Sequence, residues 1–500
     1  MFQEFHRHAR HTPDPLKPIY GNGCEHSDVK FRYPTTQEVK RSNPEHFSDC
    51  TIPVLTFGHW INTYAEFFTR APAWFHQIQQ SKALDRNITI ILADCNRMPL
   101  LPYHRELLEP FSIHKVTSWS TFASRSDTAS HSDSTAEGTH VRCFKKMLIL
   151  GFDHASWAEA YNTGQTILAH YKAKGTIPDT KLFQSLDPSV LKLLIEYRAP
   201  EGEVHRLREP VKNLLPIPAD DPRVVALIRD HPGQVLPPTE FADRPVYTDT
   251  RQILNIEEVM QQCKDADWAP VLVGTNWTGV ECQAYAFGTN TFLEGMAVMQ
   301  QTDLFVSMHG SGEINTMYMR EGSMKLQLRA KDFGTPNTEA SYMANGYWPL
   351  VCEQIASSRS AHPLQCWFAN FEDNDSWEPG IFERLGLYGH NMALKARDRH
   401  LRLNFDHLKT LMKDMLPMQR EKDSFSARWK NWTVATSFYG DGTKAYVKHK
   451  NVPDRRRRLS AGASQRGAFL APEEEREPTV EEGHVQWQRA LVRELGGRNE

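Results

Sequence analysis

Long apolar runs are missing first. No stretch of the 500 residues approaches the roughly 18 consecutive apolar positions of a membrane-spanning helix. The first ten residues, Met-Phe-Gln-Glu-Phe-His-Arg-His-Ala-Arg, lack the charged-then-apolar order of a secretory signal. Taken literally, the chain is soluble and cytosolic, or else a leader that belongs to it lies outside this sequence. An excess of one charge is missing too: a formal net charge of -3 provides no global positive field for nucleic acid or an anionic membrane. Recognition must come from local sites, and nucleic acid is not an expected partner. Cysteine is sparse. The eight, at positions 24, 50, 95, 143, 263, 282, 352 and 366, form no C-x-x-C pair and no zinc spacing. They read either as buried free thiols or, in an oxidising lumen, as disulfides, with Cys24–Cys50, Cys95–Cys143, Cys263–Cys282 and Cys352–Cys366 the sequence-nearest pairs. Four N-x-S/T sequons, at Asn87, Asn276, Asn374 and Asn431, permit secretion without arguing for it. No G-x-G-x-x-G is present, which disfavours a nicotinamide or flavin binder.

What is present is a globular composition, 40% apolar with twelve Trp, enough for two sizeable cores. Residues 1–50 read as an irregular lead-in rich in His, Pro and charge. A first α/β domain is expected over 51–200. Ile61–Gln80 carries helical spacing, Ile88–Ala93 is a buried strand, His104–Pro110 a short helix, Ile113–Val116 and Cys143–Leu150 strands, and Leu182–Tyr197 an amphipathic helix. Ser/Thr-rich residues 118–140 form a solvated insertion. Pro and charge accumulate over 201–222, the expected linker. The second α/β domain, 223–400, has strands at Val224–Ile228 and Ala269–Val273 and helices at Ile256–Lys264 and Phe292–Gln301. Residues 401–450 supply a late amphipathic helix, Leu401–Leu416, and an extension. Residues 451–500, with Arg455–Arg458 and an acidic run from Glu473, read as a disordered tail; the basic tetrad as an address or processing signal is the lesser reading.

The most informative segment is Thr302-Asp-Leu-Phe-Val-Ser-Met-His-Gly-Ser-Gly312. Asp303–Met308 predicts a buried strand and Glu313–Arg320 a helix. Glu321-Gly322-Ser323 is a turn into a second strand, Met324–Leu328. A parallel β-α-β unit places its ligand beyond the strands' carboxyl ends, where helical N–H groups attract anions and Gly310 and Gly312 let phosphate approach. A strand-to-helix glycine turn also occurs in α/β proteins that bind no nucleotide. Met308-His-Gly-Ser-Gly312 lacks the first Gly of a nucleophile elbow, so Ser311 is not expected to be an acyl-hydrolase nucleophile.

Residues 292–312 resemble, without a gap, the signature segment of glycosyltransferase family 61, nearest its branch of EGF-domain-specific O-linked N-acetylglucosamine transferases. Arg251-Gln-Ile-Leu-Asn255 followed by Glu257-Glu-Val, and Val141-Arg-Cys-Phe-Lys145, resemble two further blocks in the family's order. The likeness covers roughly 51–370. It implies an α/β, GT-B-like fold of two Rossmann-like domains with parallel sheets facing across a cleft. It also implies an inverting enzyme that moves a sugar, N-acetylglucosamine in this branch, from a UDP-sugar to a hydroxyl of a protein or glycan. No cofactor is required by that chemistry and no metal ligands are expected; divalent-metal dependence stays open. The resemblance further implies the lumen of the Golgi or endoplasmic reticulum. Four positions depart from the family pattern: Gly295, Ser307, Glu313 and Gln327. Glu313 suits a helix start, yet would repel a diphosphate if it faced one. The departures keep an alternative open, a non-catalytic lectin-like or scaffold protein of family descent.

Candidate roles follow. Arg229 and Arg251 are expected phosphate ligands, since Arg can hold phosphate bidentately, or else surface arginines at element ends. Asn255 touches donor or caps the next helix. His309, with Gly310, Ser311 and Gly312, contacts phosphate or a sugar hydroxyl, or is a packed turn histidine. The acceptor's proton needs a base from the first domain, for which His59 is the candidate and Glu66 the reserve. The competing readings are a buried aromatic-cluster histidine and a solvated helix carboxylate.

Overall fold

The computed structural model describes residues 52–58, 64–82, 84–94, 102–118, 148–151, 159–198, 251–287, 290–334, 352, 364–380, 383, 392–419, 421–431, 434–440 and 443–446. The chain divides into two compact units, Met1–Glu159 with Gln488–Glu500, and Ala160–Trp487. The expected lead-in, linker and tail lie outside the described residues, as do the insertion past Ser118 and the strand expected at Val224–Ile228.

In the first unit, β1 (Ile52–Gly58), α1 (Tyr64–Arg70), α2 (Pro72–Gln80), β2 (Ile88–Asp94), α3 (Pro102–Leu108), β3 (Thr117–Ser118) and β4 (Leu148–Gly151) follow one another. The strands form a parallel sheet in the order β3-β2-β1-β4. Pro72 opens α2 at the first helical turn, where its missing N–H has no intrahelical partner to lose. Phe67, Phe68, Phe75 and Leu107 are buried.

The second unit contains α4 (Ala160–Lys174), β5 (Val190–Glu196), α5 (Ile256–Asp265), α6 (Ala269–Leu272), β6 (Gly279–Tyr285), α7 (Phe292–Gln301) and β7 (Leu304–Met308). A 3-10 helix (Ser311–Tyr318), β8 (Met324–Arg329), β9 (Gln365–Phe371), β10 (Trp377–Glu378), α8 (Met392–Asp398) and β11 (His400–Leu401) come next. The unit closes with α9 (Phe405–Met415), α10 (Lys422–Lys430), β12 (Ala435–Phe438) and β13 (Lys444–Tyr446). Its seven-stranded sheet runs β6-β5-β7-β8-β9-β12-β13, parallel except for the last pair. The chain steps from β5 to β6 on one side, then crosses back to β7 and continues the other way. Strand order therefore reverses between β5 and β7, and the crevice beyond their carboxyl ends is where such a sheet accepts a ligand.

Local chemistry explains the elements around that crevice. Thr291 and Glu294 form a reciprocal capping box at the start of α7: the Thr291 hydroxyl accepts from the Glu294 N–H at 3.3 Å, and the Glu294 carboxylate accepts from the Thr291 N–H at 2.8 Å. At α9, Asn404 accepts from the His407 N–H at 3.1 Å, while Leu408, Leu411, Met412 and Met415 turn inward.

Three expectations are corrected. Leu182–Tyr197 is not a helix; its second half is β5, a strand between two others whose Leu191, Leu193, Leu194 and Ile195 are all buried. A strand covered on both faces shows an apolar run without alternation, and periodicity cannot separate that from a helix. β5 belongs to the second unit, Ala160–Trp487. Ala269–Val273 is not a strand but the four-residue helix α6, since Pro270 cannot donate to a sheet ladder and suits a helix start. The helix after the glycine turn is 3-10 and begins at Ser311. Cysteine follows the disulfide reading where it is described: Cys263–Cys282 ties α5 to β6 with Cα atoms 6.3 Å apart, and Cys352–Cys366 spans 5.8 Å. The other four cysteines lie outside the described residues.

Candidate active site

The site is built where β5 and β7 end. β7 delivers His309 and Gly310 to its carboxyl end, with the His309 N–H anchored to the Leu328 carbonyl at 3.2 Å. Gly310 is extended, at φ 168° and ψ -175°, so glycine is needed there for space rather than for backbone freedom. A Cβ at that position would strike the guanidinium of Arg198, two residues past β5, and one at Gly312 would strike the Glu196 carboxylate. Both glycines thus exist to let β5's terminal side chains lie on the turn. Arg198 makes no hydrogen bond or ion pair among the described residues. The N–H groups of Ser311 and Gly312 head the 3-10 helix, where helical geometry offers them no internal acceptor.

Arg251 reaches the same turn, and its Nη1 lies 3.5 Å from where a Cβ on Gly310 would sit. Its Nη1 donates to the His309 carbonyl at 3.4 Å, and its Nε lies 3.5 Å from Oδ1 of buried Asp398. Asp398 also holds Arg397 at 2.7 Å. Arg251 sits at φ 58°, a left-handed conformation that costs a non-glycine residue of order 1 kcal/mol. What maintains it is backbone pairing on either side: Gln252 O accepts from the Leu401 N–H, Leu254 N–H donates to Leu401 O, and the Gln252 N–H donates to His400 Nδ1 at 3.2 Å. Asn255 completes this clamp, accepting from the Leu403 N–H at 2.9 Å and donating to the Leu403 carbonyl at 3.1 Å. It stands at the N-cap of α5 without making the cap bond, and both ends of its amide are engaged with Leu403.

Glu313 does not face the crevice. Its side chain is fully buried, its Oε1 is 2.6 Å from Lys325 Nζ, and its Oε2 accepts the Gly310 N–H at 3.1 Å. Gln327 Nε2 lies 2.8 and 2.7 Å from the two carboxylate oxygens, which share one of its two hydrogens. Lys325, Gln327 and Arg329 alternate along β8 and so share one face, a buried polar ladder inside a strand whose other face, Met324, Leu326 and Leu328, is apolar core. Burial raises the Glu313 carboxyl above its usual range and lowers the Lys325 ammonium below its own, each countered by the partner's charge. Arg329 lies 4.3 Å over the Phe368 ring. His309 is pulled well below its ordinary pKa, first by burial and then by Arg251, Arg329, Lys325 and Arg397. Its ring is 4.6 Å from Phe333, and its side chain keeps 12% exposure. Burial and the surrounding cations thus favour a neutral imidazole at this turn.

Of the expected site residues, the structure brings together Arg251, His309, Gly310, Ser311 and Gly312, with Asn255 holding the Arg251 segment. Glu66 lies on α1 of the first unit, 3.2 Å from Arg70 one turn away, with 25% of its side chain exposed. His59 and Arg229 lie outside the described residues. Sequence reasoning missed Glu196, Arg198, Lys325, Arg329 and Asp398. The first two were hidden by reading β5 as a helix. The alternation Lys-x-Gln-x-Arg within β8 was the available signal for the next two. Among the described residues no three His, Cys, Asp or Glu gather as a metal ligand set, and no helix is long and apolar enough to cross a membrane.

A mostly parallel sheet with cations and helical N–H groups at its switch point is an arrangement with which an α/β protein can hold an anionic ligand. The family described as Glycosyltransferase 61 matches residues 57–325, more than half of the chain. The chain belongs to glycosyltransferase family 61 and is a glycosyltransferase, an enzyme of sugar transfer. Comparison with curated proteins returns no match.

Proposed function

We propose that the chain is an inverting transferase that moves a sugar, N-acetylglucosamine by its nearest resemblance, from a UDP-sugar to a hydroxyl of a protein or glycan. The observation that carries the reading is Arg198, a cation without a partner among the described residues, lying on Gly310 together with Arg251 at the switch point. Departure of UDP leaves negative charge on its diphosphate, and fixed cations aimed at that charge lower the barrier without reorganising. Arg198 and Arg251 supply that charge, and the N–H groups of Ser311 and Gly312 supply donors. His309 hydrogen-bonds the donor. The acceptor hydroxyl loses its proton to a base in the first unit, His59 or, in reserve, Glu66, within the family's GT-B arrangement. The departures Ser307, Glu313 and Gln327, which favoured a scaffold without catalysis, are all buried and do not obstruct the turn. Cys263–Cys282 and Cys352–Cys366 support an oxidising, secretory-pathway compartment.

The test is a thermal-shift panel of UDP-sugars with and without manganese, paired with donor turnover. A ligand held a hundredfold above its Kd stabilises the folded state by about 2.7 kcal/mol. Arg198→Ala and His309→Ala should lose both the shift and turnover. Arg320→Ala, at the opposite end of β7, should keep them. No shift with any UDP-sugar refutes the reading; turnover unchanged in His59→Ala moves the base to another residue.

A further inference from the structure

The buried polar ladder of β8 ends on a histidine, and it leaves that histidine only one arrangement of its proton. Arg329 Nε donates to Gln327 Oε1 at 2.5 Å, which fixes which end of the amide faces which way. Gln327 Nε2 is thereby turned to Glu313 and to His309 Nδ1, 3.2 Å away. Glu313 is no competitor for a proton on Nδ1. Its nearer oxygen is 3.8 Å from that nitrogen, beyond hydrogen-bond reach, and its two oxygens already serve Lys325, Gln327 and the Gly310 N–H.

We infer that Gln327 is a positioning residue: its amide donates to His309 Nδ1 and so holds the imidazole with its proton on Nε2, presenting an N–H rather than a lone pair at the 309–312 turn. The chain of contacts runs Arg329 to Gln327 to His309, with the Glu313–Lys325 pair holding the amide from the other side. Burial first, and then Arg251, Arg329, Lys325 and Arg397, disfavour a second proton on the ring, so the neutral form persists. The consequence, which rests on the donor reading above, is that His309 gives a hydrogen bond to the UDP-sugar and takes no proton from the acceptor. A base elsewhere in the protein is then required. The tautomer itself does not depend on that reading.

Histidine-selective 15N labelling of the full chain and long-range 1H–15N correlation at neutral pH read the tautomer without any ligand. His309 is identified by the signal missing from His309→Asn. The expected wild-type pattern is a protonated Nε2 and an unprotonated Nδ1. Gln327→Glu replaces the donor by an acceptor and should move the proton to Nδ1 or protonate both nitrogens, with kcat for donor turnover falling about a hundredfold, the scale of losing one oriented donor. Gln327→Met removes the donor at similar size and should give a mixed pattern. A wild-type Nδ1–H, or patterns unchanged in both variants, overturns the proposal; the wild-type spectrum decides it even if neither variant folds. Absence of UDP-sugar turnover with the expected tautomer would refute the proposed function and leave the positioning role standing.

Discussion

Lys325→Met should be among the most destabilising single changes in the second unit, and the reason is one distance. Lys325 Nζ is 2.6 Å from Glu313 Oε1, with neither side chain exposed. Deleting the ammonium leaves a carboxylate without water and without its counter-charge, and breaking a buried pair in this way costs about 3–5 kcal/mol. At roughly 2–4 °C per kcal/mol for a unit of this size, the melting temperature should fall by about 10 °C. Removing both charges is different. Glu313→Leu with Lys325→Met trades a pair for apolar volume, which is commonly near neutral, so the double variant should recover most of the loss. The pH dependence has a definite sign. Burial already holds the Glu313 carboxyl above its unfolded value, and losing Lys325 removes the leading charge that opposes this. A folded pKa above the unfolded one means that the contribution to stability is present below the unfolded carboxyl pKa and is lost as pH rises through the folded value. The variant's deficit should therefore be larger at pH 7.5 than at pH 5. Urea unfolding followed by tryptophan fluorescence measures it at both. Lys325→Met as stable as wild type at pH 7.5, or a double variant no better than the single, would refute the reasoning.

Two further outcomes follow from the same geometry. Gly312→Ala forces a methyl group into the Glu196 carboxylate, so UDP-dependent thermal stabilisation should disappear while the urea midpoint changes little; retained stabilisation would mean that β5 does not close on the turn. Cys263 and Cys282, 19 residues apart, close a loop whose release should cost about 3 kcal/mol, read as a lower denaturation midpoint for the Cys263→Ser/Cys282→Ser pair and for the reduced protein.

The elements that carried local chemistry were legible. Thr291 and Glu294 announce a helix start, and α7 runs over Phe292–Gln301 as the pattern implies. The apolar strand into His309-Gly310 was equally plain, because a β-turn-helix unit keeps its apolar run and glycines adjacent in sequence. β5 was not legible. Val190-Leu-Lys-Leu-Leu-Ile-Glu196 contains two charges, Lys192 and Glu196, around an unbroken Leu-Leu-Ile run, and only its two strand partners, distant in sequence, decide that it is extended. With β5 misread, Arg198 stood unremarked one residue past an expected helix instead of at the end of a central strand. The order of the strands, and with it the switch point, could not be drawn.

Glu313 shows the same limit at the level of a single side chain. Sequence offers two forces on a carboxylate at the third position of a helix: attraction to the helix start and repulsion from any phosphate bound there. They point the residue in opposite directions, and nothing within the 302–320 segment chooses between them. The choice is made by β8, whose register beside β7 sets Gln327 opposite Ser307 and brings Lys325 onto the same buried face. Glu313 then satisfies the Gly310 N–H and the Lys325 ammonium within the buried face, and the side chains that lie on the turn are Arg198 against Gly310 and Glu196 against Gly312. Around it stand Arg198, Arg251, Lys325, Arg329 and Arg397 against Glu196, Glu313 and Asp398, an excess of positive charge among the described residues. Removing Glu313 therefore cannot relieve a repulsion that the structure has already turned away. It would uncouple the turn from β8 and leave Lys325 buried alone, so Glu313→Gln should weaken UDP binding even though it takes away a negative charge close to where the phosphates would lie.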